Sequence, residues 1–333
     1  MSSTILLVED LRSIRQAICR LLGKTYEVID VESAEEAEQI LISGKKIDLL
    51  ITDIRLPGKP GTQLIQFCKH HFGSLPFALF TAYDVNQYIH YAFQENVFNI
   101  LPKYSFLDIS FIKVMADKIL KKDIFGVEKY LNGLRIKNSG NGSQSNTFLE
   151  PQEGQVIYSK ISSDDDRVEL CDRIGNFLIK KGAPTAINQI LEELSSNAMI
   201  RAPRDTNGNA KYQYEFPSKD IVIPLKNIRL EQEDAFEIGY GYTGDVFIIV
   251  TRDRFGSLRK EEILKRFDRH IHLDEKTGLP LGLADSHGRG LFICREISDS
   301  LIFNIEKGRK TEIICFLRRN GSRFHKSLSI YEI

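Results

Sequence analysis

The chain contains 333 residues, a length that suits about two domains. Its 45 basic and 45 acidic side chains cancel, so the overall charge does not indicate a nucleic acid or an anionic membrane as a partner. The sequence has no apolar run near the roughly 20 residues of a membrane span, no signal-peptide pattern and no Cys-x-x-Cys pair among its five cysteines. We therefore expect a cytoplasmic protein with reduced thiols and no contact with the membrane.

Strands and helices alternate through residues 1–122, which we interpret as the first domain. Apolar runs predict strands at 5–8, 26–31, 47–52, 75–80 and 97–101. Helical spacing of apolar residues fills the intervals, and the last helix is expected from about 106 to 122. Ser33 and Glu36 have the spacing of a capping box at the start of one helix. Five successive βα units predict an α/β fold, a doubly wound five-stranded parallel sheet with helices on both faces.

Polar side chains follow four of these strands at their carboxyl ends, where open α/β sheets bind ligands. They are Glu9, Asp10, Asp53, Thr81 and Lys103. The three carboxylates repel one another unless a cation lies between them, and hard oxygen ligands suit Mg²⁺. Asp53 is then placed as a nucleophile toward a phosphoryl donor, with Lys103 to neutralise charge and Thr81 to hydrogen-bond a phosphoryl oxygen. Each residue alone is equally typical of a solvated loop, but the combination favours a phosphoryl-transfer site.

Residues 3–122 resemble a response-regulator receiver domain. The resemblance is carried by Glu9-Asp10, Asp53 with the following Leu56-Pro57-Gly58, Thr81-Ala82 and Lys103. It implies a flavodoxin-like fold, Mg²⁺ held by Glu9, Asp10 and Asp53, and phosphorylation of Asp53 by a cognate sensor histidine kinase.

Two positions depart from the pattern of that family. The family often has proline after the lysine, whereas here Tyr104 follows and Pro102 precedes it. The aromatic switch position, three residues before the lysine, is Ile100. Phe98, Tyr104 and Phe106 are the nearby aromatic residues that could substitute for it.

Residues 123–154 are interpreted as a helix end followed by a flexible linker. Residues 138–147 contain no apolar side chain, which is typical of a flexible connector. The preceding residues 122–136 have a mixed composition and could extend the last helix or form a dimer contact. No helix-turn-helix pattern follows the first domain, so we expect no direct contact with nucleic acid.

Residues 155–320 are interpreted as a second α/β domain. The pattern predicts strands at 155–161, 247–250, 301–305 and 311–317, and helices at 164–181, 183–201 and about 290–300. Glu193 and Asn197 are four apart on one helix face, where they could hold a water and a metal or belong to a solvated surface. Gly288 and Gly290 precede Leu291 at a helix start, where backbone N–H groups can approach a phosphate.

Residues 155–318 resemble the ATP-binding domain shared by histidine kinases, type II topoisomerases and the anti-sigma-factor serine kinases, and most of all the last of these. The resemblance implies the α/β sandwich of the histidine-kinase-like ATPases. It also implies roles for seven residues: Asn197 as a Mg²⁺ ligand, Glu193 as general base, Asp253 as acceptor from the adenine amino group, Gly288, Gly290 and Leu291 at the phosphates, and Thr311 in the adenine pocket.

The second resemblance is imperfect around Asp253. The usual Asp-x-Gly-x-Gly is replaced by Asp253-Arg254-Phe255-Gly256-Ser257, so Gly256 is the remaining glycine of the nucleotide loop and is shifted by one position. An insertion at 202–219 and a long charged lid at 259–285 also distinguish the chain.

Together the two resemblances imply a two-component protein. Phosphorylation of Asp53 would control an output domain that binds Mg²⁺ and ATP, and that phosphorylates or sequesters a partner protein, as in an anti-sigma-factor pathway. The alternative is a non-enzymatic, phosphorylation-gated adaptor with a degenerate ATPase domain. A hybrid histidine kinase is disfavoured because residues 123–180 contain no histidine. Both families often dimerise, so a homodimer is among the expected assemblies, and residues 321–333 are interpreted as a C-terminal tail.

Overall fold

The computed structural model describes residues 2–103, 110–139, 148–212, 228–274, 277–282, 289–319 and 326–333. The chain forms two compact units. The first unit contains residues 1–124 and 324–331, and the second contains residues 125–323 and 332–333. Across the described residues, no helix combines the length and the apolar character needed to cross a lipid bilayer.

The amino-terminal part of the first unit alternates strands and helices, as the apolar pattern predicts. Its elements are β1 (Thr4–Val8), α1 (Arg12–Leu22), β2 (Glu27–Val31), α2 (Ala34–Ile42), β3 (Leu49–Asp53), α3 (Gly61–Phe72), β4 (Phe77–Thr81), α4 (Ile89–Gln94), β5 (Asn99–Pro102) and α5 (Ser110–Lys121). A short 3₁₀ turn, Val85–Tyr88, precedes α4.

The strands of this part form one parallel sheet in the order β2-β1-β3-β4-β5. Every residue of β1 and of β3 is buried, because helices cover both faces of a doubly wound sheet. The predicted five-stranded parallel sheet is therefore confirmed. Asp53 is the last residue of β3 and Thr81 the last residue of β4, so both side chains project from the carboxyl edge.

Side-chain hydrogen bonds and backbone conformation explain where two helices of the first unit begin or end. Ser33 Oγ accepts a hydrogen bond from the Glu36 N–H at 3.3 Å, and the Ser33 hydroxyl donates to Glu36 Oε1 at 3.1 Å, which confirms the capping box. Helix α5 ends at Lys121, and the following Lys122 has φ of +57°, a left-handed conformation that stops a helix. Residues 122–136 therefore do not extend this helix, and the predicted helix start at 106 lies outside the described residues.

The second unit also mixes strands and helices. Its elements are β6 (Arg135–Asn138), β7 (Gln155–Ile161), α6 (Asp164–Lys180), α7 (Ile187–Ser196), β8 (Phe236–Thr243), β9 (Val246–Asp253), α8 (Lys260–Ile271), α9 (Gly290–Ile297), β10 (Ser300–Glu306) and β11 (Lys310–Arg318). A single π-helical turn, Asn197–Arg201, continues α7.

The strands of the second unit follow the order β10-β11-β9-β8-β7-β6. All neighbours are antiparallel except β6 and β7, which are parallel. Helix α6 contacts β8, α7 contacts β9 and α9 contacts β10, and α7 lies between α6 and α9. These helices form a layer on the face of the sheet that carries Thr311 and Asp253.

The opposite face of this sheet is covered in part by the segment that precedes β6. The backbone N–H of Gly126 donates to the buried Glu312 carboxylate at 2.9 Å, and the ring of Tyr130 packs edge-on against Phe316 with centroids 5.8 Å apart. Residues 126–130 are thus part of the second unit and are packed. The composition of residues 123–154 predicts a helix end and linker, whereas the structure also places the exposed edge strand β6 at its centre.

Strand β8 and helix α8 are absent from the sequence-based prediction. Strand β8 contains Gly239 and Gly241, which disfavour a strand, but a Cβ at Gly239 would come within 2.6 Å of the Tyr158 ring on β7. The glycines therefore permit close approach of two strands. Helix α8 occupies the start of the segment expected to be a charged lid, and its buried residues Ile263, Leu264 and Phe267 show why it is helical.

The C-terminal residues form a strand rather than the expected tail. Strand β12 (Leu328–Glu332) pairs antiparallel with β5, so that Leu328 lies opposite Ile100 and Ser329 opposite Asn99. The Ile330 N–H donates to the Phe98 carbonyl at 3.1 Å. Residues 328–331 are buried. The first unit therefore has a sixth strand, supplied by residues more than two hundred positions after β5.

Candidate functional site

The carboxyl edge of the first sheet brings together all five residues predicted from the strand ends. The carboxylates of Glu9, Asp10 and Asp53 offer oxygen atoms that all lie within 4.8 Å of one another. The Lys103 N–H donates to the Thr81 carbonyl at 2.6 Å, which fixes the end of β5 beside the end of β4. Chain segments from four strands thus converge on one small acidic cluster, which we call the acidic site (Glu9, Asp10, Asp53, Thr81 and Lys103).

Lys103 offsets part of the negative charge of the acidic site. Its Nζ lies 2.7 Å from Glu9 Oε1 and 2.7 Å from Asp53 Oδ2, and its side chain is only 3% exposed. Burial lowers the pKa of Lys103, but the hydrogen bonds to Asp53 and Glu9 outweigh burial and leave this pKa raised. The ammonium group therefore stays charged and holds two carboxylates at hydrogen-bonding distance.

The two oxygen atoms of the Glu9 carboxylate differ in their hydrogen bonds. Its Oε1 accepts from Lys103 and from the Leu11 N–H at 3.2 Å, whereas Oε2 is buried without a hydrogen-bond partner among the described residues. Burial raises the pKa of this carboxyl group, against the lowering effect of Lys103. An unsatisfied carboxylate oxygen beside Asp10 and Asp53 fits a hard cation such as Mg²⁺, which prefers oxygen ligands.

Asp53 and Thr81 are oriented by backbone groups. Asp53 is 5% exposed, and its Oδ1 accepts from the Arg55 N–H at 3.2 Å while its Oδ2 accepts from Lys103. The buried Thr81 hydroxyl oxygen accepts from the Tyr83 N–H at 3.1 Å. Both side chains are held at the sheet edge, where a phosphoryl group could approach them.

Two features near the acidic site were not predicted from the sequence. Gly61, the first residue of α3, lies so close to β3 that a Cβ would overlap the Asp53 carbonyl oxygen. The Arg55 guanidinium lies 3.8 Å from the centroid of the Tyr83 ring, and its Nε donates to the Tyr88 hydroxyl at 3.3 Å. The sequence feature that could have identified Tyr83 is its position two residues after Thr81.

The structure describes one of the three aromatic residues that could replace Ile100 as the switch residue. Ile100 itself is fully buried in β5. Phe98 lies just before β5 and accepts the Ile330 N–H through its carbonyl group. Tyr104 and Phe106 lie outside the described residues.

The second unit contains a cavity of about 200 Å³ between its sheet and its helices. Of the residues expected to bind nucleotide, Asn197, Asp253, Leu291 and Thr311 line this cavity. They come from the π-helical turn, β9, α9 and β11. Glu193, Gly256 and Gly290 are not among the lining residues, and Gly288 lies outside the described part of the chain.

Asp253 is the buried acid of this cavity. It ends β9 opposite Thr311 of β11, and it is 8% exposed. Its Oδ1 accepts from the N–H groups of Phe255 at 2.9 Å and Gly256 at 3.2 Å. Gly256 has φ of +53°, and a Cβ there would overlap the Glu306 carbonyl oxygen. Gly256 therefore shapes the loop that holds Asp253, rather than lining the cavity.

Glu193 lies one helical turn before Asn197 but faces a different neighbour. A Cβ at Gly290 would overlap Glu193 Oε2, so the carboxylate lies against the first residue of α9. Burial, followed by the nearby charge of Glu192, raises the pKa of Glu193. The predicted base is therefore adjacent to the cavity and to the amino terminus of a helix.

The cavity lining also includes arginine side chains that the sequence analysis did not identify. Arg201, Arg204 and Arg266 line it, and Glu262 of α8 lies among them. Arg201 could have been identified from the sequence, because it lies four residues after Asn197 and therefore one helical turn further along.

The buried Asp253 carboxyl group gives the second unit a pH-dependent stability. Burial raises its pKa to about 6, above the value of about 3.9 expected in an unfolded chain. Its contribution is therefore fully present below about pH 4 and is lost as the pH rises through about 6. Over the whole titration, the difference between these two pKa values corresponds to about 3 kcal/mol of unfolding free energy.

We expect the unfolding free energy of the native protein, relative to that of Asp253→Asn, to fall by about 2 kcal/mol between about pH 4 and pH 7. The asparagine Oδ1 can keep both backbone hydrogen bonds but does not titrate. Urea unfolding followed by circular dichroism at several pH values measures this difference. Parallel pH dependences of the two proteins would contradict the raised pKa.

Comparison with known proteins defines the class of the first unit. A family model described as response regulator receiver domain matches residues 5–109. Together with the sheet order and the contacts of Lys103 with Glu9 and Asp53, this match identifies residues 5–109 as a response regulator receiver domain.

The chain is similar to response regulators over this region. It is 38% identical over 84 residues to the response regulator protein FleR of Pseudomonas aeruginosa, covering 25% of this chain and 18% of FleR. It is 34% identical over 97 residues to the DNA-binding transcriptional regulator NtrC of Escherichia coli K12, covering 29% of this chain and 20% of NtrC. The chain thus spans about a fifth of the length of these relatives.

Among solved structures, the non-phosphorylated HemR receiver domain from Leptospira biflexa matches with 27% identity and a TM-score of 0.32, covering 35% of this chain and 94% of that domain. The response regulator TrrA from Thermotoga maritima matches with 27% identity and a TM-score of 0.31, covering 35% of this chain and 99% of TrrA.

Proposed function

We propose that the protein is a response regulator in which phosphorylation of Asp53 controls nucleotide binding by the second unit. Receiver domains are phosphorylated by a cognate sensor kinase and typically bind Mg²⁺ at the phosphorylation site. The contact of Lys103 Nζ with both Glu9 and Asp53 is the observation that carries the first half of this proposal.

The acidic site has the groups that phosphoryl transfer requires. An oxygen of the Asp53 carboxylate forms the bond to phosphorus, while the bond between phosphorus and the donor histidine breaks and its electron pair stays on the imidazole. Lys103 moves its ammonium group from the Asp53 carboxylate to the transferred phosphoryl oxygens, and Thr81 donates its hydroxyl proton to another oxygen. Glu9, Asp10 and Asp53 would hold Mg²⁺, which supplies charge neutralisation when bound.

The second half of the proposal is that the second unit binds an adenine nucleotide. The observation that carries it is the cavity that brings Asp253, Asn197, Thr311 and Leu291 together from four separate elements. Asp253 would accept a hydrogen bond from the adenine amino group, and the side chain of Thr311 would line the adenine pocket. Asn197 offers an amide oxygen to Mg²⁺, a ligand type that this ion accepts.

The size of the cavity suits the base of the nucleotide. Ligand pockets that enclose a drug-sized molecule usually measure roughly 300–1,000 Å³, and this cavity of about 200 Å³ is smaller. It can enclose the planar ring but not the whole nucleotide, so part of the ligand extends outward. Buried Thr311 and Asp253 at the sheet and the apolar side chains of Leu194 and Ile313 give it the mixed lining typical of such sites.

The proposal predicts that the full chain binds Mg²⁺ and ATP, and that Asp253→Asn weakens this binding at least tenfold, because the asparagine amide turns a donor toward the adenine amino group. Calorimetric titration measures the affinity. Asp245→Asn, in an exposed ion pair with Arg318, is the matched control and should bind as the native protein does. Equal binding by the Asp253 and Asp245 variants would contradict the proposed adenine contact.

Repeating the titration with Mg²⁺ and beryllofluoride, a phosphoryl mimic for Asp53, tests whether the two units are coupled. We expect the ATP affinity to change with the mimic, and to remain unchanged in Asp53→Asn. Turnover that depends on Glu193 would make the output a Ser/Thr kinase or ATPase acting on a partner, for example in a sigma-factor pathway. Binding without turnover would make it a phosphorylation-gated adaptor that sequesters this partner.

A further inference from the structure

Three arginine side chains among those that line the cavity of the second unit form what we call the arginine wall (Arg201, Arg204 and Arg266). Arg266 is ion-paired with Glu262, one turn earlier on α8. Asp253 is the other carboxylate that lines the cavity. Three guanidinium groups and two carboxylates leave the lining with an excess of positive charge.

The guanidinium group of Arg201 has no hydrogen-bonding partner among the described residues. Arg201 is partly buried at the end of the π-helical turn, and its side chain makes no hydrogen bond or ion pair in the described part of the chain. Burial and the nearby charge of Arg266 lower the pKa of Arg201, and the charges of Glu193 and Glu262 offset this lowering only in part. A partly buried guanidinium group without hydrogen bonds is unfavourable, and an anion in the cavity would supply them.

We propose that the arginine wall binds the phosphate groups of the nucleotide, with Arg201 as its principal contact. This inference rests on the proposed nucleotide-binding function and adds to it the part of the ligand that the wall recognises. A guanidinium group presents a planar fork of donors that matches phosphate oxygens in pairs. Asp253 supplies an acceptor and Arg201 supplies donors in the same cavity, so the preferred ligand is a nucleotide rather than the uncharged nucleoside.

The test compares adenosine, ADP and pyrophosphate in calorimetric titrations of the full chain in buffer treated with a chelator, so that the arginines alone face the phosphates. ADP should bind roughly tenfold or more tightly than adenosine, because charge-assisted hydrogen bonds are worth about that factor or more. In Arg201→Gln the ratio of the two affinities should fall toward one. Arg173→Gln, which removes an equal charge from the exposed face of α6, should keep the native ratio.

Arg266→Gln provides a second variant if Arg201→Gln fails to fold, which circular dichroism would reveal. Equal affinities for ADP and adenosine in the native protein, or an unchanged ratio in both wall variants, would overturn the inference. Binding of pyrophosphate that depends on Arg201, without binding of either adenine compound, would uphold the arginine wall and reject the nucleotide proposal. Failure of all three ligands to bind the native protein would reject both.

Discussion

Asp53→Asn should abolish phosphorylation of the full chain. The amide has no anionic oxygen to attack phosphorus, and no other carboxylate in the acidic site has both the hydrogen bond from Lys103 Nζ and the position at the end of β3. With Mg²⁺ and a small phosphoryl donor such as acetyl phosphate, mass spectrometry should detect a phosphoryl adduct on the native protein and none on the variant.

Asp245→Asn is the control for this experiment. Asp245 is half-exposed and ion-paired with Arg318 in the second unit, so its replacement changes the same charge without touching the acidic site. Its adduct should form as in the native protein. A phosphoryl group that persists in Asp53→Asn would show that another residue is the acceptor and would remove the basis for the switch.

Gly61→Ala should destabilise the receiver domain by about 3 kcal/mol, a large cost for the addition of one methyl group. The new Cβ would overlap the Asp53 carbonyl oxygen and lie 2.8 Å from Thr52 Oγ1. Relief requires α3 to move away from β3, and that movement breaks the hydrogen bond from the Gly61 N–H to the Ile54 carbonyl, now 3.0 Å long. Urea unfolding followed by circular dichroism measures the loss.

Gly44→Ala separates steric overlap from backbone preference. Gly44 has φ of +80° with open space around it, so alanine there should cost only about 1 kcal/mol. If Gly61→Ala costs no more than Gly44→Ala, the close approach of α3 to the acidic site is not under steric constraint.

The receiver site could be predicted from the sequence because each of its residues ends or follows a short apolar run. Strand ends in a parallel sheet meet at one edge, so the position of Asp53 after Ile51 and Thr52 already indicated its neighbours. Gly61 was missed because its importance comes from contact with β3, eight residues earlier, and not from its own neighbours in the chain.

The cavity of the second unit was only partly predictable from the sequence. Its lining residues come from several elements, and local sequence patterns do not show how those elements pack together. Asn197 and Glu193 share a helix face in the sequence, yet Asn197 lines the cavity while Glu193 lies against Gly290 of α9. Arg266 belongs to α8, a helix whose many charges resemble a solvated loop. The histidine-kinase-like ATPase class of this unit stays a prediction.

Strand β12 affects the order in which the receiver can be completed during synthesis. The ribosome delivers β5 more than two hundred residues before the strand that pairs with its free edge. At translation rates of about 5–20 residues per second, that edge waits roughly ten to fifty seconds for its neighbour. Until then its unpaired N–H and C=O groups can accept a strand from another nascent chain. The receiver domain thus emerges before the second unit but gains its strand β12 only after residues 125–323, and a receiver excised at residue 124 would keep this open edge permanently.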